Sequence, residues 1–240
     1  MRTIAVVTAS KDRDKYEEAF RRALPQGVLV AVESPEVWVD RGTHLNSALT
    51  ALRASCHWNS LTGVLICDVD CILRHDAIDW AEKQIANGYQ ATFIGVLEPS
   101  KQASLAYLDS PGRYGSEEHK ALWSECVTSE SALLDATCQY TGIVLLSTGM
   151  LDSLANKHLR ADLPGLFPSY GTWGGEDTFL LKSIEHEMAG DHVPYARGLA
   201  RHLWHEPQKG KPQSHGTIGC EEYQAMQKRL REDIEAIYAL

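Results

Sequence analysis

Residues 63–75 read GVLICDVDCILRH, and the change of character inside them decides how the rest of the chain is read. Val64 to Cys67 is a short apolar run of the kind that forms a buried strand, yet it ends on two acids, Asp68 and Asp70. A carboxylate withdrawn from water costs free energy unless it is paired, hydrated or bound to a cation. In open α/β sheets ligands bind outside the carboxyl ends of the strands, so this strand end is a candidate site. On an extended segment, residues i and i+2 point to the same side. Asp68 and Asp70 so disposed would suit a hard divalent cation such as Mg²⁺ or Mn²⁺, whose shell is commonly shared with substrate phosphates. The same two residues would also serve as a helix cap or as partners for basic side chains.

Working outward, strand and helix patterns alternate. Ile4–Thr8 and Val28–Glu33 read as strands, with a helix over Asp12–Leu24 between them, and a second helix spans Leu45–Cys56. Beyond the acidic strand end come a helix over Ala77–Asn87, closed by Gly88, and a strand over Ala91–Val96. This alternation predicts an α/β fold, a mixed but mostly parallel sheet flanked by helices on both faces. From Glu98 to about Ala136 the pattern turns polar and is expected to be an irregular excursion at one end of the sheet, where substrate contacts often lie. Gly142–Leu146 resumes a strand, Glu176–Glu187 reads as a helix, Val193–Trp204 holds one more strand, and Glu221–Tyr238 is an amphipathic terminal helix.

The 240 residues suffice for one sizeable domain, and 44% apolar content is that of a globular chain. A single domain over residues 1–240 is expected, with 219–240 as a C-terminal helix. A net charge of −9 offers no basic stripe for nonspecific binding to nucleic acid. No apolar stretch reaches the length of a bilayer span, and the N-terminus lacks a signal-peptide pattern, so a soluble, cytoplasmic protein is expected. The six cysteines, Cys56, Cys67, Cys71, Cys126, Cys138 and Cys220, form no CxxC pair and read as reduced thiols.

Two further stretches carry chemistry. YGTWGGEDTFLLKSI, residues 170–184, sets a Gly-rich aromatic turn before Glu176 and Asp177 at a helix start. Acids there gain from the helix dipole. Trp173 beside Gly174 and Gly175 is also a natural platform for a sugar ring. RHLWHEP, residues 201–207, supplies His202 and His205 as candidate nitrogen ligands. Two residues at i and i+3 of a strand should not both face one ion, so either histidine is the expected ligand.

Together, the DxD strand end, WGGED about a hundred residues later and the HxxHEP segment resemble the metal-dependent glycosyltransferases of the GT-A fold. The β-1,4-galactosyltransferases and the bacterial chondroitin-polymerase type of domain are the most similar. WGGED is the most specific element. The resemblance implies a nucleotide-binding half over about residues 1–97 and an acceptor-binding half over 98–207. The resemblance implies a nucleotide-sugar donor, most often a UDP-sugar, and Mn²⁺ or Mg²⁺ held by Asp70, with Asp68 on the ribose or the metal shell and His202 or His205 completing it. It implies that Thr8, Ser10, Glu33, Arg41 and Asn46 line the donor pocket, and that Trp173, Gly174 and Gly175 sit beside donor and acceptor. Asp177 would be the general base and Glu176 an acceptor contact. Retaining relatives tend to carry Asn at the position of Asp177, so an inverting reaction is expected. The acceptor would be a saccharide, a glycoconjugate or another hydroxyl compound, a modified DNA base being disfavoured by the acidic balance.

Two alternatives stand beside this. DVDCIL resembles the nucleophile motif of haloacid-dehalogenase-like phosphatases, although Cys71-Ile72 replaces the usual Gly-Thr and two strand–helix units precede it. The other alternative is a non-catalytic nucleotide-sugar-binding module.

Overall fold

Strands whose residues are apolar on both faces can be buried only between two layers of helices. In a computed structural model of the chain, which describes residues 3–10, 13–34, 40–124, 143–160, 165–168, 175–188, 193–205 and 221–238, that is where they lie. The elements in chain order are β1 (Ile4–Ala9), α1 (Asp14–Arg22), β2 (Leu29–Glu33), α2 (Arg41–Ala54), β3 (Gly63–Cys67), β4 (Cys71–Leu73), α3 (Ala77–Ala86) and β5 (Ala91–Leu97). There follow α4 (Lys101–Asp109), α5 (Glu117–Ser124), β6 (Ile143–Ser147), α6 (Thr148–Arg160), α7 (Glu176–Met188), β7 (Tyr195–His202) and α8 (Glu221–Tyr238).

The seven strands form one sheet in the order β2-β1-β3-β6-β5-β7-β4. Strands β2, β1, β3, β5 and β7 share a direction, and β6 and β4 run against them. The sheet is therefore mixed and mostly parallel, and it runs through both expected halves of the chain. Alternate residues divide the core. Ile4, Val6, Leu65, Cys67, Ile143 and Leu145 pack with Phe20, Ile78 and Leu108, whereas Ala5, Val7, Val64, Ile66, Val144 and Leu146 pack with Leu45, Leu49, Leu154 and Leu180. Helix α8 lays Met226, Leu230, Ile234 and Ile237 against Phe179 of α7, a stripe at helical spacing. Among the described residues no helix is long and apolar enough to cross a membrane.

Three expectations need correction. The segment from Glu98 onward is not irregular as far as Ser124: it holds α4 and α5, and residues 125–136 lie outside the described ones. Ser100 caps α4 by accepting from the Ala103 amide at 3.1 Å, and Tyr107, Leu108 and Leu122 enter the core. Helix α6, which follows β6 without a loop, has no counterpart in the pattern reading; the Ser147 hydroxyl accepts from the Met150 amide at 3.0 Å and turns the chain at once. Residues Cys71–Leu73 form a separate strand, paired antiparallel with Ala200–His202.

Candidate metal centre and active site

Strand β3 ends at Cys67, and the next residues turn: the Cys71 amide donates to the Asp68 carbonyl at 3.0 Å. The segment is thus not extended, and the two aspartates part company, contrary to the expectation that they face one way. Asp68 accepts from Arg41 Nε at 2.6 Å. Asp70, whose residue is 2% exposed, accepts from the Arg13 guanidinium and faces His202 and His205.

The geometric objection to both histidines also falls. Strand β7 stops at His202, so the alternation of a strand does not govern His205. The exit is pinned on three sides. The Leu203 amide donates to the Asp70 carbonyl at 2.8 Å, the Trp204 amide to Ser104 Oγ at 2.9 Å, and the Tyr16 hydroxyl to the Trp204 carbonyl at 3.0 Å. Lys101 lies 3.7 Å above the Trp204 ring. As a result the Nε2 atoms of His202 and His205 lie 3.6 Å and 3.4 Å from Asp70 Oδ2. One ligand atom from each of Asp70, His202 and His205 falls within 4.8 Å of the others. One carboxylate oxygen and two imidazole nitrogens so gathered are a donor set for a divalent metal ion.

Charge at this cluster is tightly linked. Burial alone would raise the Asp70 carboxyl, but His202 and Arg13 outweigh it and hold the group well below the usual carboxylate range. Burial works against a charged His202, yet Asp70, aided by Glu98, holds the imidazole well above its ordinary value. A cation entering here competes with the His202 proton and with Arg13 for the same carboxylate.

The second acidic cluster faces the first across one side chain. Arg41, the first residue of α2, gives Nε to Asp68 and Nη1 to Asp177 at 2.6 Å, and Nη1 also lies 3.5 Å from Glu176. Asp40 caps that helix, accepting from the Thr43 amide at 2.8 Å, which fixes where Arg41 leaves the backbone. Burial, with Glu176 and Asp68 adding to it and Arg41 opposing, pushes the Asp177 carboxyl up to about 7. Such a group takes up and gives off a proton near neutrality.

Thr8, Ser10 and Glu33 gather at the carboxyl ends of β1 and β2, where the Ser10 amide donates to the Glu33 carbonyl at 2.8 Å. Thr8 is fully buried and its hydroxyl has no hydrogen-bond partner among the described residues. Asn46 stands apart from them, with its amide engaging the backbone of Phe167 in both directions, at 2.6 Å and 3.0 Å. Gly175 immediately precedes α7, its carbonyl accepting from the Phe179 amide at 2.8 Å, while Trp173 and Gly174 lie outside the described residues. Arg13 and Glu98 were not singled out by sequence; neither sits in a motif, and only the fold brings them to the cluster.

No family model matches the chain, and no curated protein matches it in sequence. Solved structures do match. A Drosophila β-1,4-galactosyltransferase 7 variant, crystallised with manganese, UDP-galactose and xylobiose, is 12% identical with a TM-score of 0.50, over 95% of this chain and 80% of that one. A glycosyltransferase involved in glycosylation of the major capsid protein of PBCV-1 is 11% identical with a TM-score of 0.45, over 85% of this chain and 94% of that one. The likeness to the galactosyltransferase fold does not favour the phosphatase alternative. In its mixed, helix-flanked sheet, with strands ending on a gathered acidic and imidazole cluster, the chain has the fold of the GT-A glycosyltransferases.

Proposed function

We propose that the chain is a metal-dependent, inverting glycosyltransferase that moves a sugar from a UDP-sugar to a hydroxyl acceptor. The observation that carries this reading is the gathering of Asp70, His202 and His205 at one strand end, to which Arg41 joins Asp177 through Asp68. Thr8, Ser10 and Glu33 would take the nucleoside end of the donor, and Asp70, His202 and His205 would hold the ion. Two imidazoles and one carboxylate suit Mn²⁺ better than Mg²⁺, which prefers an all-oxygen shell. A cation held there supplies Lewis acidity to the diphosphate leaving group.

The protein's own part is proton transfer and placement. Asp177 accepts the proton of the acceptor hydroxyl as its oxygen bonds to C1. The bond from C1 to the diphosphate breaks, and UDP leaves with the electron pair. Arg41 aims Asp177 through its 2.6 Å contact and ties that helix start to the β3 turn. Glu176 is placed to hydrogen-bond the acceptor, whose class is a saccharide or another hydroxyl compound.

The test is UDP release from a panel of UDP-sugars with Mn²⁺ and candidate saccharide acceptors. Asp177→Asn should keep Mn²⁺-dependent UDP binding and lose transfer. Normal turnover by Asp177→Asn would remove it as the base, and UDP binding without transfer by the wild type would mark a binding module instead.

A further inference from the structure

The register between β5 and β7 brings a second carboxylate to His202. The two strands run parallel with Gly95 opposite Arg197, but Val96 then faces Ala200 and Leu97 faces Arg201. One step along β5 is matched by three along β7, so Gly198 and Leu199 form a bulge. Gly198 takes φ +73, a conformation cheap only for glycine. The bulge's carbonyls are satisfied: Trp123 Nε1 donates to Gly198 at 3.1 Å and the Arg74 amide to Leu199 at 2.7 Å. In an unbroken register Glu98 would fall beside Ala200; the two-residue shift instead brings it level with His202, one step past the Leu97–Arg201 pair. Glu98 Oε1 lies 3.6 Å from His202 Nδ1, while Nε2 on the other edge of the ring lies 3.6 Å from Asp70 Oδ2. The imidazole stands between two carboxylates carried by two different parts of the sheet.

A neutral imidazole has one N–H and one lone pair, and what faces each nitrogen decides which is which. A carboxylate only accepts, so without an ion Asp70 and Glu98 each favour a proton on the nitrogen they face; where a cation takes the place of the Nε2 proton, Glu98 keeps the remaining proton on Nδ1. Resting on the metal reading above, we propose that Glu98 is a positioning residue that fixes the ring plane and tautomer of His202, presenting Nε2 together with Asp70 and His205 to a divalent cation. Carboxylates in this relation to a ligating histidine typically change metal affinity by about 10–100-fold when removed.

The experiment uses the full chain and Mn²⁺ alone, with binding followed by loss of the free-ion electron paramagnetic resonance signal. Glu98→Ala should weaken Mn²⁺ binding about tenfold or more. Glu98→Asp should recover most of the loss. Glu98→Gln, whose side-chain oxygen can still accept from Nδ1 but carries no charge, should fall between Asp and Ala. The Glu98 side chain is 69% exposed, so all three variants should melt with the wild type in EDTA. Equal losses for Gln and Ala would reduce Glu98 to a source of negative field and overturn the positioning role. So would an Ala variant that binds within twofold of the wild type. A wild-type chain that takes up no Mn²⁺ would overturn the metal reading and this inference with it.

Discussion

A carboxylate that must take a proton from an acceptor hydroxyl works best with a pKa near the operating pH, and an ordinary aspartate lies about three units too low. Asp177 is brought to about 7 by burial first, then by Glu176 and Asp68, against the pull of Arg41. In the proposed role Asp177 acts deprotonated, so kcat/KM should rise about tenfold per unit as the pH approaches 7 and level off above it. Protonation of His202, whose imidazole is held well above its ordinary value, would produce a similar limb by expelling the ion, so the profile belongs at saturating Mn²⁺. There the midpoint should stay near 7 as Mn²⁺ is raised further, and Glu176→Gln should move it down by removing a neighbouring negative charge. A midpoint that tracks the Mn²⁺ concentration would assign the limb to loss of the ion from its ligands instead. Asp70, Asp177 and the two histidines were legible in the sequence because each is a chemically expensive residue at a strand end or helix start. The partners were not. That Arg41 would join Asp68 to Asp177, or that Asn46 would turn away to Phe167, depends on where α2 lies over the sheet, which local pattern does not encode.

At the scale of elements, the strongly apolar strands and the long amphipathic α8 were readable, while short helices with mixed faces were not. Helix α4, KQASLAYLD, buries Ser104, Tyr107 and Leu108 on a face too narrow to stand out, and α6 starts directly from a strand with a serine serving as the cap. The bulge in β7 was hidden for another reason: a lone glycine in YARGLARH does not announce how many residues it displaces. Its worth can be measured. Gly198→Ala places a residue with a Cβ at φ +73, with that Cβ 3.3 Å from Leu97 Cδ1. The backbone penalty is about 1–2 kcal/mol, and relaxing it would slide β7 against β5 and draw His202 off Asp70. Gly88→Ala is the control, since Gly88 has φ +92 and nothing within 4 Å of its would-be Cβ. Both variants should lose a few degrees of melting temperature, but only Gly198→Ala should also weaken Mn²⁺ binding. Equal Mn²⁺ affinity in the two would uncouple the bulge from the cluster.

For the whole molecule, stability toward acid should depend on a histidine far from the chemistry. His158 of α6 is fully buried, edge-on to the Phe179 ring at 5.0 Å, and its Nδ1 lies 3.2 Å from the Gly165 carbonyl. A carbonyl only accepts, so Nδ1 carries the proton and the ring is held neutral. Burial lowers its pKa from 6.5 to about 4. Between those values the unfolded chain binds a proton that the folded chain refuses, so stability rises with pH. The contribution is complete above about pH 6.5 and lost as the pH falls to about 4, amounting to about 3 kcal/mol over the interval. For a chain of this length that corresponds to roughly 6–12 °C of melting temperature. Other groups titrate in the same window, Asp177 in the opposite sense because its folded value lies above the unfolded one, so the measurement is a difference: melting temperature against pH for the wild type and for His158→Gln, in EDTA. His158→Gln should be the less stable of the two at pH 7.5, because it disturbs the packing on Phe179. Its melting temperature should nevertheless fall less steeply between pH 6.5 and 4, so that the two curves converge. Curves that stay parallel through that window would mean that His158 accepts its proton in the folded core without penalty, and that acid sensitivity has another source.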